Sequence, residues 1–143
     1  FILWHALEAE RGAIKAAIPE TVEVYGSLDL DERERRIVEF ADGGFRILAT
    51  KPSISGSGCN LQRHCHRAIF VGIGYSFNDF LQACHRIHRF LQTERVIIDV
   101  IYCDTEREVW RTLERKWDEH RVLTARMSEL IAALISFFLI EPL

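Results

Sequence analysis

Phosphate-binding loops are missing from this chain. Its only lysines are Lys15, Lys51 and Lys116, and no Gly-x-x-x-x-Gly-Lys-Ser/Thr run surrounds any of them. A nucleoside triphosphatase that grips its phosphates with such a loop is therefore excluded. Cysteine is sparse and irregular: Cys59, Cys65, Cys84 and Cys103 form no Cys-x-x-Cys pair, which argues against a disulfide-stapled secreted scaffold and a zinc finger. Cys59, His64, Cys65, His66, His85 and His88 are close in sequence but lack ligand spacing, and no metal is expected. No secretory signal is read in these residues. The longest uncharged tail, residues 131–140, is ten residues and too short to span a bilayer, so a cytoplasmic setting without a membrane is expected. Proline is limited to three residues and no low-complexity stretch breaks the chain. Residues 1–143 thus read as one domain, with 105–143 a C-terminal helical extension. The first residue is Phe1 rather than Met, which reads as a piece of something longer.

A net charge of −3 hides a strong asymmetry. Residues 1–50 carry 6 basic and 10 acidic side chains, residues 51–95 carry 6 and 2, and residues 96–143 carry 6 and 9. The middle third is a basic patch between acidic flanks, suited to phosphates or a short length of nucleic-acid backbone.

Apolar periodicity alternates strand and helix. Strands are expected over 2–5, 22–25, 45–49, 68–73 and 96–103, the last so rich in branched residues that it reads as covered on both faces. Helices are expected from Leu7 to Ile18, stopped by Pro19, and from an Asp29/Glu32 capping box to Gly43-Gly44. A Ser76/Asp79 box opens a third helix and a Thr105/Glu108 box a last one, on which Val109, Leu113 and Trp117 share a face. The tail 131–140 reads as a helix end packed on the domain or on a neighbour. The alternation implies an α/β fold with a mainly parallel sheet flanked by helices.

Two stretches carry chemistry. Gln82-Ala83-Cys84-His85-Arg86-Ile87-His88-Arg89-Phe90-Leu91-Gln92 places two arginines three residues apart. On a continuous helix Gln82, Arg86 and Arg89 fall within about 60° of one another. Phe77, Phe80, Leu81, Cys84 and Leu91 form the opposite apolar stripe, and His88 also reads as a core residue. Paired guanidiniums on one face suit phosphate oxygens. Ser55-Gly56-Ser57-Gly58-Cys59-Asn60-Leu61-Gln62 follows a strand, and its glycines let main-chain N–H groups approach an anion.

In this order and separation, the two stretches resemble motifs V and VI of superfamily 2 helicases and translocases, most closely the SWI/SNF-type branch. Phage and prophage members look closer still through Thr50-Lys51-Pro52-Ser53-Ile54 and the passage from His64-Cys65-His66-Arg67 to Phe70-Val71-Gly72. The resemblance covers roughly residues 2–104. It departs from the branch at Ser55, and at Phe90-Leu91, where a glycine often precedes the last glutamine.

The resemblance implies a RecA-like helicase C-terminal domain, a P-loop NTPase-like fold without its own P-loop. The partner would be an N-terminal RecA-like domain of the same chain holding most of the ATP and Mg²⁺. Catalytic candidates are Arg86, Arg89 and Gln82, and ATP-cleft candidates are Gly56, Gly58 and Asn60. Gly26, Ser27, Thr50 and Lys51 become candidates for a DNA backbone. Asp118-Glu119-His120 is similar to the family's acidic metal-binding motif but lies in a charged helical stretch, and is set aside. Two rivals stay open: an α/β module docking an acidic protein through its arginines, and a self-contained phosphate- or nucleotide-binding domain.

Overall fold

The computed structural model describes residues 1–54 and 59–140. Five short strands, β1 (Ile2–Trp4), β2 (Val22–Val24), β3 (Leu48–Thr50), β4 (Arg67–Phe70) and β5 (Ile97–Val100), form one all-parallel sheet in the order β2-β3-β1-β4-β5. β1 is central and pairs on both sides: Ile2 lies opposite Leu48 and Ala68, and Trp4 opposite Thr50 and Phe70.

Side-chain alternation along β1 builds two cores. Ile2 and Trp4 face a cluster with Val24, Leu48, Ala68 and Phe70. Onto it pack α2 (Leu30–Ala41) through Ile37 and Phe40, and α3 (Phe77–His85) through Phe80, Ala83 and Cys84. The final helix α4 (Arg107–Ile140) adds Val109 and Leu113. Leu3 faces the other way, onto Ile47, Ala49 and Ile14 of α1 (Glu8–Ala17). The helix after β1 therefore lies on one face and those after β2 and β4 on the other, as right-handed crossovers require when the chain reverses direction across the sheet. The reversal makes β1/β4 the topological switch point, where ligands of open parallel sheets gather beyond the strand carboxyl ends.

Local chemistry explains the boundaries and several departures from the sequence reading. Gly43 ends α2 at φ +82°, a conformation that costs glycine nothing. Asp29 caps α2 by accepting from Asp31 N–H at 3.0 Å, but Glu32 does not complete a box. Its carboxylate is taken by Arg35 at 2.7 Å and Arg36 at 2.6 Å, and those two hydrogen bonds hold its pKa down to about 2.

The approach to the last helix is capped differently from expected. Cys103 and Glu106, not Thr105 and Glu108, form the box, Cys103 N–H donating to Glu106 at 2.9 Å ahead of a short 3-10 turn over Asp104–Glu106. β5 is an edge strand rather than a doubly covered one, with Ile97 41% exposed. α4 keeps Val109 and Leu113 buried and Trp117 packed on the same core, as its spacing predicts. From Arg121 to Ile135 every side chain is exposed, so that part of the tail does not pack on this domain. Among the described residues, no helix is long and apolar enough to cross a membrane.

Candidate functional site

The two-arginine stretch is not one continuous helix. Ser76 starts α3 by accepting from Asp79 N–H at 3.3 Å, and burial of Cys84 on the core pushes its thiol up to about 12. The helix ends at His85, with Arg86 as its cap and Arg89 in the turn beyond. Ile87 is fully buried beyond the helix end, where the Ile87 and His88 N–H groups both donate to the Cys84 carbonyl, at 3.3 and 3.0 Å. Two further expectations fail with the helix. Leu91 is 69% exposed rather than part of an apolar stripe, and His88 is exposed rather than in the core.

The turn nevertheless gathers the predicted residues. Arg89 Nη1 donates to Asn60 Oδ1 at 2.9 Å, joining the second stretch to the first across 29 residues. Arg86 is half-buried beside them. Burial pulls its guanidinium below the usual arginine range; Cys59 opposes this and Arg89 adds to it. Gln82 is exposed on α3 one turn before Arg86 and has no side-chain hydrogen bond among the described residues. Gly56 and Gly58 lie outside the described residues.

Two glutamines that the sequence reading did not single out complete the arrangement. Gln92 Nε2 donates to the carbonyls of Cys65 and Ile87, both at 3.1 Å, and Gln62 Nε2 donates to the Phe90 carbonyl at 3.4 Å. Their positions at the ends of both stretches were the available signal. Cys65 lies two residues before β4, so the whole cluster sits at the amino end of the strands.

Leu91 adopts φ +72°, the left-handed region that a Cβ disfavours. This is the position where the resemblance often has glycine. Leu91→Gly is expected to raise stability by about 0.5–1 kcal/mol, the strain released less glycine's extra chain entropy. A urea midpoint that falls instead would mean that the exposed side chain makes contacts worth more than the strain.

The remaining candidates lie at the opposite, carboxyl end. Gly26 and Ser27 follow β2 and are exposed, and the Gly26 carbonyl accepts from Arg33 at 2.9 Å. Thr50 is fully buried at the end of β3, and Lys51 pairs with Glu8 at 2.8 Å. At the switch point Lys51, but not the other three, borders a cavity of about 210 Å³ lined also by Trp4, His5, Ser76, Asp79 and Phe80. His5 is buried there; desolvation lowers its pKa against the Leu7 carbonyl at 3.2 Å, keeping the ring neutral near pH 7. Gly72, at φ +139°, keeps this end tight, since a Cβ there would overlap the Glu10 carboxylate.

Among the described residues no three His, Cys, Asp or Glu side chains converge on a metal-sized site. Asp118 and Glu119 are surface residues of α4 paired with Arg121 and Arg115.

No family model and no curated protein matches this chain. Solved structures do. The C-terminal part of the Fun30 ATPase domain is 21% identical with a TM-score of 0.63, over 78% of this chain and 38% of that one. The C-terminal domain of the DEAD-box protein Dbp5 is 14% identical with a TM-score of 0.65, over 82% and 69%. Domain 2 of the DEAD-box helicase Mss116p, bound to an RNA duplex, is 15% identical with a TM-score of 0.62, over 80% and 46%. The fold is that of a RecA-like helicase C-terminal domain. This chain thus spans about two fifths of the Fun30 part and just over two thirds of the Dbp5 domain.

Proposed function

We propose that this RecA-like domain is the C-terminal half of an ATP-driven DNA helicase or translocase, of the SWI/SNF-type and phage- or bacterial-like branch, working in the cytoplasm. The observation that carries the reading is the Arg89–Asn60 hydrogen bond beside half-buried Arg86. It draws the motif V and motif VI matches into one cluster on the expected fold. Two neighbouring guanidiniums, one of them held by a carboxamide, are a donor set for phosphate oxygens.

ATP with Mg²⁺ would supply the γ-phosphoryl group and most of its own neutralisation from an N-terminal RecA-like domain of the same protein. This chain's part is narrower. Arg86 and Arg89 present fixed positive charge to the oxygens on which charge grows in the transition state. Gln82, one turn before Arg86, orients that pair or the nucleotide. Asn60 lines the cleft, the role that the resemblance also implies for Gly56 and Gly58. Gly26, Ser27 and Lys51 take the nucleic-acid backbone at the other end of the sheet; Thr50, fully buried with its carbonyl accepting from the His5 N–H, positions Lys51 rather than touching the strand. Separate ends suit a motor: a phosphate cluster at the amino end and a strand track at the carboxyl end, joined in sequence by residues 51–60. Base edges are not read, because such a track follows phosphates.

The test uses both activities of the isolated chain. Without a phosphate loop it is expected to hydrolyse no ATP above background, and turnover on the order of 1 per second or faster would overturn the half-site reading. Its binding to labelled DNA and RNA is expected to be weak and to fall steeply between about 50 and 200 mM salt, the mark of phosphate contacts. Tight, salt-insensitive binding would instead mark a dedicated recognition module. Preference for RNA over DNA would move the chain from the SWI/SNF-type branch towards RNA motors.

A further inference from the structure

We propose that Gln92 is the residue that positions Arg89, acting as a clamp between the arginine-bearing turn and the arm 59–65; the proposal rests on the motor reading above. Because α3 ends at His85, no helical hydrogen bond fixes Arg89. The turn must be held by other means, and the structure offers three. Ile87 is sunk in the core, the Gln92 N–H donates to the Arg89 carbonyl at 3.1 Å, and the Gln92 side chain spans both segments.

That side chain is fully used. Its two N–H donors go to Ile87 O in the turn and Cys65 O in the arm, and its Oε1 accepts from Glu94 N–H at 3.0 Å. The three bonds leave only one orientation of the carboxamide, because reversing it would set an oxygen against two carbonyls. The arm is consequently tied at two points, Asn60 by Arg89 and Cys65 by Gln92. Arg89 lies between the two anchors of its own turn, Ile87 and Gln92. Loosening the second lets the guanidinium wander while the fold stays intact, and a misplacement of about 1 Å is enough to cost a reaction roughly 100-fold.

The experiment measures steady-state ATP turnover of the full-length protein carrying Gln92→Met, Gln92→Glu, Arg89→Ala, or Arg89→Ala with Gln92→Met. Met keeps the volume and removes both donors; Glu keeps the shape and cannot donate to either carbonyl. Both single variants are expected to lower kcat roughly 10- to 100-fold with KM for ATP within about twofold, since uniform binding is untouched. The double variant is expected to be no slower than Arg89→Ala alone, because Gln92 acts through that arginine. A residue with only a structural role would lower the melting temperature and leave kcat per folded molecule unchanged. Four outcomes overturn the proposal: kcat within twofold of wild type in Gln92→Met, a loss confined to KM, a double variant slower than Arg89→Ala by the full single-variant factor, or both Gln92 variants unfolding. Should Arg89→Ala itself retain wild-type turnover, the motor reading falls. Should Arg89→Ala fail while Gln92→Met does not, only the clamp falls.

Discussion

Arg89→Ala in the complete protein is expected to depress ATP turnover by roughly 10³-fold or more, the scale of an arginine finger, while folding and nucleotide binding stay nearly intact. The structure makes that separation sharp. Arg89 is exposed, and its only described side-chain hydrogen bond goes to Asn60, at 2.9 Å. Surface losses of this kind stay within about 0.5 kcal/mol of stability, far too little to remove activity by unfolding. Arg89→Lys is expected to rescue little, because an ammonium cannot reproduce a planar fork shared between Asn60 and a phosphate oxygen. Arg86→Ala should lose turnover similarly and also weaken ATP binding, since Arg86 is the more buried of the two and the cap of α3. The measurement is single-turnover hydrolysis beside equilibrium nucleotide binding. If Arg89→Ala hydrolyses ATP within a few-fold of wild type, the turn beyond α3 is not the catalytic element.

The second large effect is on stability. Trp4→Ala is expected to cost about 3–5 kcal/mol, the range for truncating a buried aromatic, against a total of roughly 5–15 kcal/mol for a domain. Trp4 is fully buried on the central strand, its ring 6.3 Å from that of Phe70, which in turn lies tilted 4.7 Å from that of Phe80 of α3. Removing it takes the seat from both neighbours at the carboxyl end of the sheet. Trp4→Phe is expected to cost far less. Nε1 of Trp4 is buried without a hydrogen-bond partner among the described residues, so losing it removes a desolvation penalty of about 1–3 kcal/mol that offsets the lost area. Urea unfolding followed by far-UV circular dichroism distinguishes the two. Equal costs for Ala and Phe would mean that the indole N–H, not the ring, is what the site needs.

Much of the architecture was legible because it rests on period and punctuation. Ile2, Leu3 and Trp4 alternate between two cores, Ile14 and Ile37 mark helix faces, and Gly43 stops α2 by its conformation, all readable without a partner in view. What could not be read is where side chains compete. Glu32 fits the spacing of a capping box, yet two arginines one turn on outbid the backbone for its carboxylate. Thr105 and Glu108 fit equally well, but it is Cys103 and Glu106 that close a box, while Arg111 takes the Glu108 carboxylate.

The candidate site shows the same limit. Arg86, Arg89 and Asn60 were recognisable as types in order, and their meeting was foreseeable only through the resemblance. The helix end was not foreseeable, because no glycine or proline follows His85. Leu91 takes the left-handed turn that would ordinarily have announced itself as glycine. Gln62 and Gln92 act by bonds across 28 and 27 residues, a distance at which local pattern carries no information.

α4 has a mechanical consequence. It is seated on the core through Val109, Trp110, Leu113 and Trp117, with the His120 ring 6.0 Å from that of Phe77, and its remaining turns run on to Ile140. At 1.5 Å per residue the length beyond His120 is about 30 Å, so each degree of tilt at the seat moves the far end by about 0.5 Å. The helix is thus a pointer with its pivot beside α3, whose Phe77 and Phe80 rings meet Trp117 edge-on at 6.5 and 6.0 Å. A spectroscopic label near Ile135 would report, magnified, adjustments at the root of the arginine-bearing turn that are too small to measure there.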